Sequence, residues 1–222
     1  MPNPHTGGAG AISPVTIASL LGRPWVDRLI AVIAALPFVY VLYHNLQVAE
    51  LTVPRVALLL QLSLLVVTML IRRAPVRVTT NPLYWLVAFV ASYYGFLTVS
   101  IGAAGHALVP SRLTDTLSVL SVIADGYARL TLGRNIGFVP AQRLLVTGGP
   151  YRFVRHPIYS ALFLAELCVV LENFSWVNLV LSLIFLGLFV IKTLMEEDFL
   201  RRDPAYARYM DQVRYRWIPG IA

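Results

Sequence analysis

Six stretches of apolar residues recur along the chain, and polar or charged segments separate them. The stretches cover residues 29–48, 54–71, 82–105, 113–131, 157–172 and 174–195. Most are close to the roughly 20 residues that a helix needs to cross the hydrocarbon core of a bilayer. The pattern therefore predicts about six transmembrane helices. The fourth is the least apolar, because it includes Asp115, Asp125 and Arg129.

The composition supports a membrane protein and excludes a water-soluble one. Of the 222 residues, 58% are hydrophobic and 13% are charged, whereas a soluble domain has about 25% charged residues. The polar segments are too short to form a separate soluble domain, so residues 25–222 are predicted to form a single integral membrane domain. Residues 1–24, with several glycines and prolines, are predicted to be disordered. The predicted fold class is all-α, a polytopic helical membrane protein.

The basic residues are distributed unevenly between the two sides that six spans would create. If the N-terminus is cytoplasmic, every Arg and Lys except Arg55 and Arg112 lies in or beside a cytoplasmic segment, as the positive-inside rule requires. Both termini are then cytoplasmic, and so are the two longest polar segments, 132–156 and 196–222. The formal net charge of +7 indicates attraction to anionic lipid headgroups rather than to nucleic acid. The preference for Arg over Lys indicates a bacterial source, and thus the inner membrane.

Residues that suit ligand binding lie in these two polar segments. Pro157 favours the first turn of a helix, so Arg155 and His156 are expected at a helix N-terminus, where anions are favoured. The last two spans form a hairpin that returns the chain to the same face at the acidic run Glu196 to Asp198. A site with one cationic and one acidic side suits a zwitterion that has a further cationic group. S-adenosylmethionine has this chemistry.

The motif Arg155-His156-Pro157-Ile158-Tyr159, followed after the hairpin by Glu196-Glu197, is the most specific feature of the sequence. Further matching stretches are Leu132-Gly133-Arg134-Asn135, Leu145-Val146-Thr147-Gly148-Gly149-Pro150-Tyr151 and Tyr215-Arg216-Trp217-Ile218-Pro219. Together they resemble the isoprenylcysteine carboxyl methyltransferase family of membrane methyltransferases, which is itself similar to the phospholipid N-methyltransferases. The resemblance covers residues 132–219. It implies S-adenosylmethionine as the cofactor, a cofactor-binding region at 132–219, and a five-helix core to which the first span is added.

The resemblance also implies which residues form the site. Lys192 lies one helical turn before Glu196 on the same helix face, and the two are interpreted as the catalytic residues, with Lys192 facing the acceptor. In the family this residue is usually Arg, which grips a carboxylate with two hydrogen bonds as Lys cannot. The cofactor-binding residues would be Arg143, Leu144, Leu145, Val146, Tyr151, His156, Pro157, Ile158, Tyr159 and Glu196. The basic and acidic clusters add Arg155 and Glu197 to this set.

Two further residues are assigned to the acceptor side on other grounds. Glu166 lies within a predicted span, where an ionisable residue indicates function, and we hypothesise that it helps to select the acceptor. Arg216 belongs to the aromatic and basic tail, which is expected either to line the pocket or to lie along the membrane interface. Asp125 is interpreted as structural.

The sequence leaves the acceptor and some alternative functions open. The acceptor is a lipid or lipid-like molecule: a prenylated or otherwise hydrophobic carboxylate, a phospholipid amine, or a small thiol. An NADPH-dependent, sterol-reductase-like protein would need basic residues for the 2′-phosphate where this chain has acids. A non-catalytic membrane scaffold would not need the set Tyr151, His156, Tyr159 and Glu196. No cluster has the spacing of metal ligands.

Overall fold

The computed structural model describes residues 20, 23–47, 52–101 and 103–221, which are almost entirely helical. Most of the predicted disordered segment 1–24 lies outside these residues. The helices are α1 (Pro24–Leu46), α2 (Val53–Ile71), α3 (Pro82–Ile101), α4 (Ser111–Leu132), α5 (Pro157–Glu172), α6 (Trp176–Leu200) and α7 (Pro204–Gln212). The remaining elements are two 3₁₀ helices (Gly133–Asn135 and Gly149–Arg152) and two short strands, β1 (Arg77–Val78) and β2 (Ala141–Gln142). The predicted helical class is confirmed.

Local sequence signals determine several of the helix ends. Pro24 and Pro157 each lie in the first turn of a helix, where the missing N–H removes no helical hydrogen bond. Ser175 caps α6, because its side chain accepts a hydrogen bond from the backbone N–H of Asn178. Helix α4 ends at Gly133, whose φ of 59° is a left-handed value that suits glycine.

Three helices are long and apolar enough to cross a bilayer among the described residues, namely α1, α2 and α6. The predicted number of six spans is therefore not confirmed. Helix α5 has 16 residues, fewer than the roughly 20 that a straight span needs. Helix α4 has 22 residues but contains Arg112, Asp115, Asp125 and Arg129. The three qualifying helices support an integral membrane protein.

Helix α4 lies at the centre of the bundle, packed against α2 and α5. Helix α1 packs on α2, α3 packs on α6, and α5 forms a hairpin with α6. Polar side chains are paired across these contacts: Gln61 donates to Ser121, and Arg129 Nε binds both carboxylate oxygens of Asp125 at 2.8 Å. Because buried polar groups are costly unless paired, these contacts stabilise one arrangement of the helices.

The loops at one end of the bundle form a connected layer, which we call the polar end. Strands β1 and β2 pair there in antiparallel register, and the backbone N–H of Arg73 donates to the carbonyl of Arg134 at 2.7 Å. The segments 132–156 and 196–222, which the basic residues predict to share one side of the membrane, both contribute to this end. The candidate site lies directly beneath this layer.

Candidate functional site

A cavity of about 270 Å³ extends from the polar end into the helical bundle. Its polar part is lined by residues 135–138 and 141–146, by the start of α5 and by the last turns of α6. Its apolar part follows α2 from Met69 to Leu58 and reaches Phe185 on α6. The rise along α2 from Leu58 to Met69 is about 16 Å, so the apolar part of the cavity is long. The cavity thus has a polar mouth and an extended apolar interior.

The start of α5 is held in place by residues 213–217, a segment that we call the strap. The backbone N–H of Arg155 donates to the carbonyl of Tyr215 at 2.9 Å, and that of His156 donates to the carbonyl of Arg216 at 2.8 Å. The hydroxyl of Ser160, one turn later, donates to the carbonyl of Trp217 at 2.6 Å. The strap therefore binds the backbone N–H groups of the two residues that precede α5 and, through Ser160, fixes the first turn of this helix.

Glu197 is the centre of a buried ion-pair network beneath the strap. Arg155 Nε donates to Glu197 Oε1 at 2.7 Å and Arg216 Nε donates to Oε2 at 2.9 Å. His156 Nε2 lies 3.1 Å from Oε1, and Arg155 Nη1 donates to the carbonyls of Val213 and Arg214. Arg155 and Glu197 were both predicted to bind cofactor, but they neutralise each other's charge and connect α5, α6 and the strap.

Glu196, the adjacent residue, faces the cavity instead. Among the described residues only the Tyr159 hydroxyl donates to it, at 3.0 Å from Oε2. The rings of Tyr159 and His156 stack with centroids 5.5 Å apart and an angle of 5° between their planes. The cavity therefore presents a carboxylate with free acceptor capacity beside a flat aromatic surface.

Lys192 lies one turn deeper on α6 and is 6% exposed. Its Nζ donates to Ser92 Oγ at 2.8 Å. The same nitrogen lies 5.4, 5.7 and 5.3 Å from the ring centroids of Phe138, Tyr159 and Phe189. Aromatic faces at this distance attract a cation, so Lys192 is held as a buried positive charge between the polar and apolar parts of the cavity.

Three buried polar atoms that belong to cavity-lining residues have no hydrogen-bond partner among the described residues. They are Asn135 Oδ1, Arg143 Nη1 and the Tyr151 hydroxyl. Burial raises the pKa of Tyr151, so the hydroxyl stays a donor at neutral pH. Tyr209, whose pKa burial raises to about 12, donates to the Tyr151 carbonyl at 2.7 Å and fixes this tyrosine in place.

The structure brings most of the predicted site residues to this cavity. Four others lie outside its lining, namely Pro157, Glu166, Glu197 and Arg216. Glu166 accepts a hydrogen bond from Ser182 Oγ at 2.5 Å at the contact between α5 and α6. The predicted residues that line the cavity are Arg143, Leu144, Leu145, Val146, Tyr151, Arg155, His156, Ile158, Tyr159, Lys192 and Glu196.

Several residues that shape the cavity were not singled out from the sequence. Asn135 ends the 3₁₀ helix Gly133–Asn135, Phe138 lies in the loop before β2, and Ser92 belongs to α3, 100 residues before its partner Lys192. Asn135 lies in Leu132-Gly133-Arg134-Asn135, at the start of the resemblance, which is the only sequence signal that points to it. Ser92 has no such signal, because a serine within an apolar span is common.

The fold defines the protein as a polytopic helical membrane protein, and the cavity at its polar end is the candidate ligand site. Residues 112–207 match the family model described as phospholipid methyltransferase. This part of the chain is therefore similar to a family of membrane methyltransferases, whose members take the methyl group from S-adenosylmethionine.

The match runs from α4 to α7 and contains both the Arg155 to Tyr159 motif and Glu196. The family is part of the same superfamily of membrane methyltransferases as the isoprenylcysteine carboxyl methyltransferases, so the resemblance is confirmed at that level. No curated protein sequence matches the chain.

Proposed function

We propose that the protein transfers a methyl group from S-adenosylmethionine to a lipidic, membrane-partitioning acceptor, in the manner of an isoprenylcysteine carboxyl methyltransferase. The observation on which the proposal rests is the set of three unpartnered buried atoms, on Asn135, Arg143 and Tyr151. Buried polar groups in native proteins are almost always hydrogen-bonded. The presence of three unpartnered atoms around one cavity, all within the part of the chain that matches the methyltransferase family model, therefore supports a polar ligand as the missing partner.

The donor set fits the chemistry of this cofactor. Glu196 offers a carboxylate for a ligand ammonium, and the stacked rings of His156 and Tyr159 offer a surface for a purine or a sulfonium. Tyr151 and the loop 143–146 line the other wall. When bound, the cofactor supplies a methyl group on a sulfonium, which is already an activated leaving group. The residues of the chain then need only align the acceptor and exclude water.

The acceptor side of the cavity supports a lipidic substrate. Leu58, Leu62 and Leu65 of α2 face Phe185 and Phe189 of α6 along the apolar interior. Apolar chains gain free energy from leaving water, at about 0.8 kcal/mol per buried CH₂. A hydrophobic tail would occupy this interior and place its polar end at Lys192 and Glu196.

The charge of Lys192 favours a carboxylate as the reacting group. A buried ammonium attracts an anion and repels a protonated amine, and at low effective dielectric this interaction is strong. A phospholipid amine, which the name of the family model favours, would have to reach the site uncharged. A thiol would likewise have to arrive as its thiolate, which Lys192 would stabilise.

The test uses the protein in lipid nanodiscs with methyl-labelled S-adenosylmethionine and three acceptors: an S-prenylated N-acylcysteine, phosphatidylethanolamine and a long-chain thiol. We expect label in the prenylated cysteine, released by mild base as a methyl ester should be. Glu196→Gln should lower transfer at limiting S-adenosylmethionine by about tenfold or more, because the ammonium of the cofactor loses a charged acceptor. Asp198→Asn is the matched control, because Asp198 binds the exposed Arg201 and Arg202 rather than the cavity.

The outcomes separate the functions. Label in phosphatidylethanolamine alone would replace the carboxylate acceptor with an amine. Folded protein that binds NADPH but not S-adenosylmethionine would refute the methyltransferase and favour the reductase. Folded protein that binds neither S-adenosylmethionine nor NADPH would favour the non-catalytic membrane scaffold.

A further inference from the structure

Three charged side chains from three separate elements form a buried cluster at the edge of the cavity. Asp27 lies in the first turn of α1, Arg72 follows α2, and Arg143 follows β2. Arg72 Nη2 donates to Asp27 Oδ1 at 2.6 Å and Arg72 Nε donates to Oδ2 at 3.1 Å. Arg143 Nη2 lies 3.7 Å from the same Oδ1. The side chains of all three are less than 10% exposed.

The cluster contains more positive than negative charge. Asp27 is the only carboxylate within ion-pair distance of the two guanidinium groups among the described residues, and Arg72 already takes both of its oxygens. Burial and repulsion by Arg72 lower the pKa of Arg143 to about 10, against the attraction of Asp27 and of the more distant Glu196. Arg143 remains charged at neutral pH, and its charge is incompletely compensated.

The guanidinium of Arg143 is also held so that one of its three nitrogens, Nη1, has no protein partner among the described residues. Its Nε donates to the carbonyl of Arg73 at 2.9 Å, its Nη2 faces Asp27, and its Nη1 has no partner. Gly137 leaves room for this nitrogen, since a Cβ at that position would lie 2.9 Å from Nη1. A buried unpaired donor on a charged group is costly, and Arg143 lines the cavity. An anionic ligand group would provide both the missing acceptor and the missing charge.

We propose that the Asp27–Arg72–Arg143 cluster is an anion subsite of the cavity, in which Arg143 Nη1 binds a carboxylate or phosphate of the bound molecule. Asp27 and Arg72 act as positioning residues, because they fix the guanidinium without facing the ligand. The inference rests on the proposed function for the identity of the anion. That anion is either the carboxylate of the cofactor or the acidic group of the acceptor.

The subsite gives α1 a role that the family match does not include, since the match begins at residue 112. Besides Asp27, α1 binds α3 through the Tyr93 hydroxyl, which donates to the Ala34 carbonyl at 2.7 Å. Phe38 stacks on Tyr93 at 5.1 Å and meets Phe138 edge-on at 6.3 Å. Helix α1 therefore joins the anion subsite to the loop residue Phe138, which lies against Lys192.

The first arm of the test measures ligand binding by calorimetry on protein in nanodiscs, without turnover. The ligands are S-adenosylhomocysteine and its decarboxylated analogue, which keeps the ammonium and the nucleoside. The variant is Arg143→Gln. Arg134→Gln is the matched control, because Arg134 also donates through Nε to a carbonyl at the end of α2, that of Ile71 at 2.7 Å, and does not line the cavity.

If the anion is the cofactor carboxylate, Arg143→Gln should weaken S-adenosylhomocysteine binding by about tenfold or more, as loss of a charged hydrogen bond does. The decarboxylated analogue should bind the wild type and the variant equally. The control should bind both ligands as the wild type does. Arg143→Lys keeps the charge but loses the planar fork, so its affinity for S-adenosylhomocysteine should lie between those of the wild type and Arg143→Gln. This variant also serves as a check in case the glutamine variant misfolds.

The second arm titrates an S-prenylated N-acylcysteine, which has a carboxylate, and the corresponding methyl ester, which has none. Selective loss of carboxylate binding in Arg143→Gln, with S-adenosylhomocysteine unaffected, assigns the subsite to the acceptor. Unchanged binding of every anionic ligand in a folded Arg143→Gln protein overturns the inference. Wild-type protein that binds no nucleoside ligand refutes the proposed function instead, and the second arm then still tests the subsite.

Discussion

Replacing Glu196 and Glu197 one at a time by glutamine should separate ligand binding from stability within a pair of adjacent residues. Glu197 is 3% exposed and receives hydrogen bonds from Arg155 and Arg216. Glu196 receives one, from the Tyr159 hydroxyl, and faces the cavity. Glu197→Gln removes the charge on which a buried network depends, and Glu196→Gln removes a charge that faces the cavity.

The structure sets the expected magnitudes. The side chains of Arg155 and Glu197 are 5% and 4% exposed, so Glu197→Gln leaves the buried guanidinium of Arg155 without a counter-charge. The free energy of unfolding should therefore fall by about 3–5 kcal/mol. Arg216 is 35% exposed, so solvent screens its contribution. For a chain of this length the loss corresponds to a fall of about 6–20 °C in the midpoint of thermal unfolding.

Glu196→Gln should behave in the opposite way. The glutamine carbonyl can still accept from Tyr159, so the free energy of unfolding should change by less than about 1 kcal/mol. S-adenosylhomocysteine affinity should fall by about tenfold or more, because its ammonium loses a charged acceptor.

The assay pairs thermal unfolding in detergent micelles with calorimetric binding in nanodiscs for both variants. A Glu197→Gln protein that unfolds at the wild-type midpoint but has lost ligand affinity would show that Glu197 binds the ligand directly. That result would refute the division of roles between the two residues.

Three further substitutions test other parts of the site. Tyr151→Phe removes a hydroxyl without a protein partner, so it should leave the unfolding midpoint unchanged and lower S-adenosylhomocysteine affinity by about 5- to 10-fold; equal affinity would remove Tyr151 from the ligand site. Asp125→Asn breaks the buried pair with Arg129 and should lower the free energy of unfolding by about 3 kcal/mol, measured by denaturant titration; wild-type stability would contradict a structural role. Lys192→Met replaces a buried charged side chain by an apolar one of similar volume, so the midpoint of thermal unfolding should stay the same or rise while labelled methyl transfer is lost. Full transfer would show that binding of the acceptor does not depend on Lys192.

The helices could be predicted from the sequence because their signals are local. The apolar run 157–172 coincides with α5, and 54–71 differs from α2 by a single residue. Proline at the start of α5 fixes its first turn. The number of spans was less predictable, because α4 and α5 owe their positions to packing as much as to hydropathy.

The site was predictable only where a motif and a hairpin determine it. A hairpin of known length returns Glu197 to the level of Arg155, 42 residues apart. Nothing local distinguishes Glu197 from Glu196, since their opposite orientations follow from the helix phase of α6 and from where the strap lies. Asp27 and Arg72 are 45 residues apart, one in the first turn of α1 and the other just after α2, and no local sequence motif connects them.

The strap has a consequence for how the protein is made. The turn that begins α5 is completed by Trp217, which lies 57 residues after its partner Ser160. Once α6 has been synthesised, Arg155 and Glu197 can meet, but the backbone donors of the Arg155–His156 turn still lack the carbonyls that the strap provides. The candidate site is therefore completed only after the strap has been synthesised and has docked on the start of α5, so a chain that ends before residue 213 would have the α5–α6 hairpin without a finished cavity mouth.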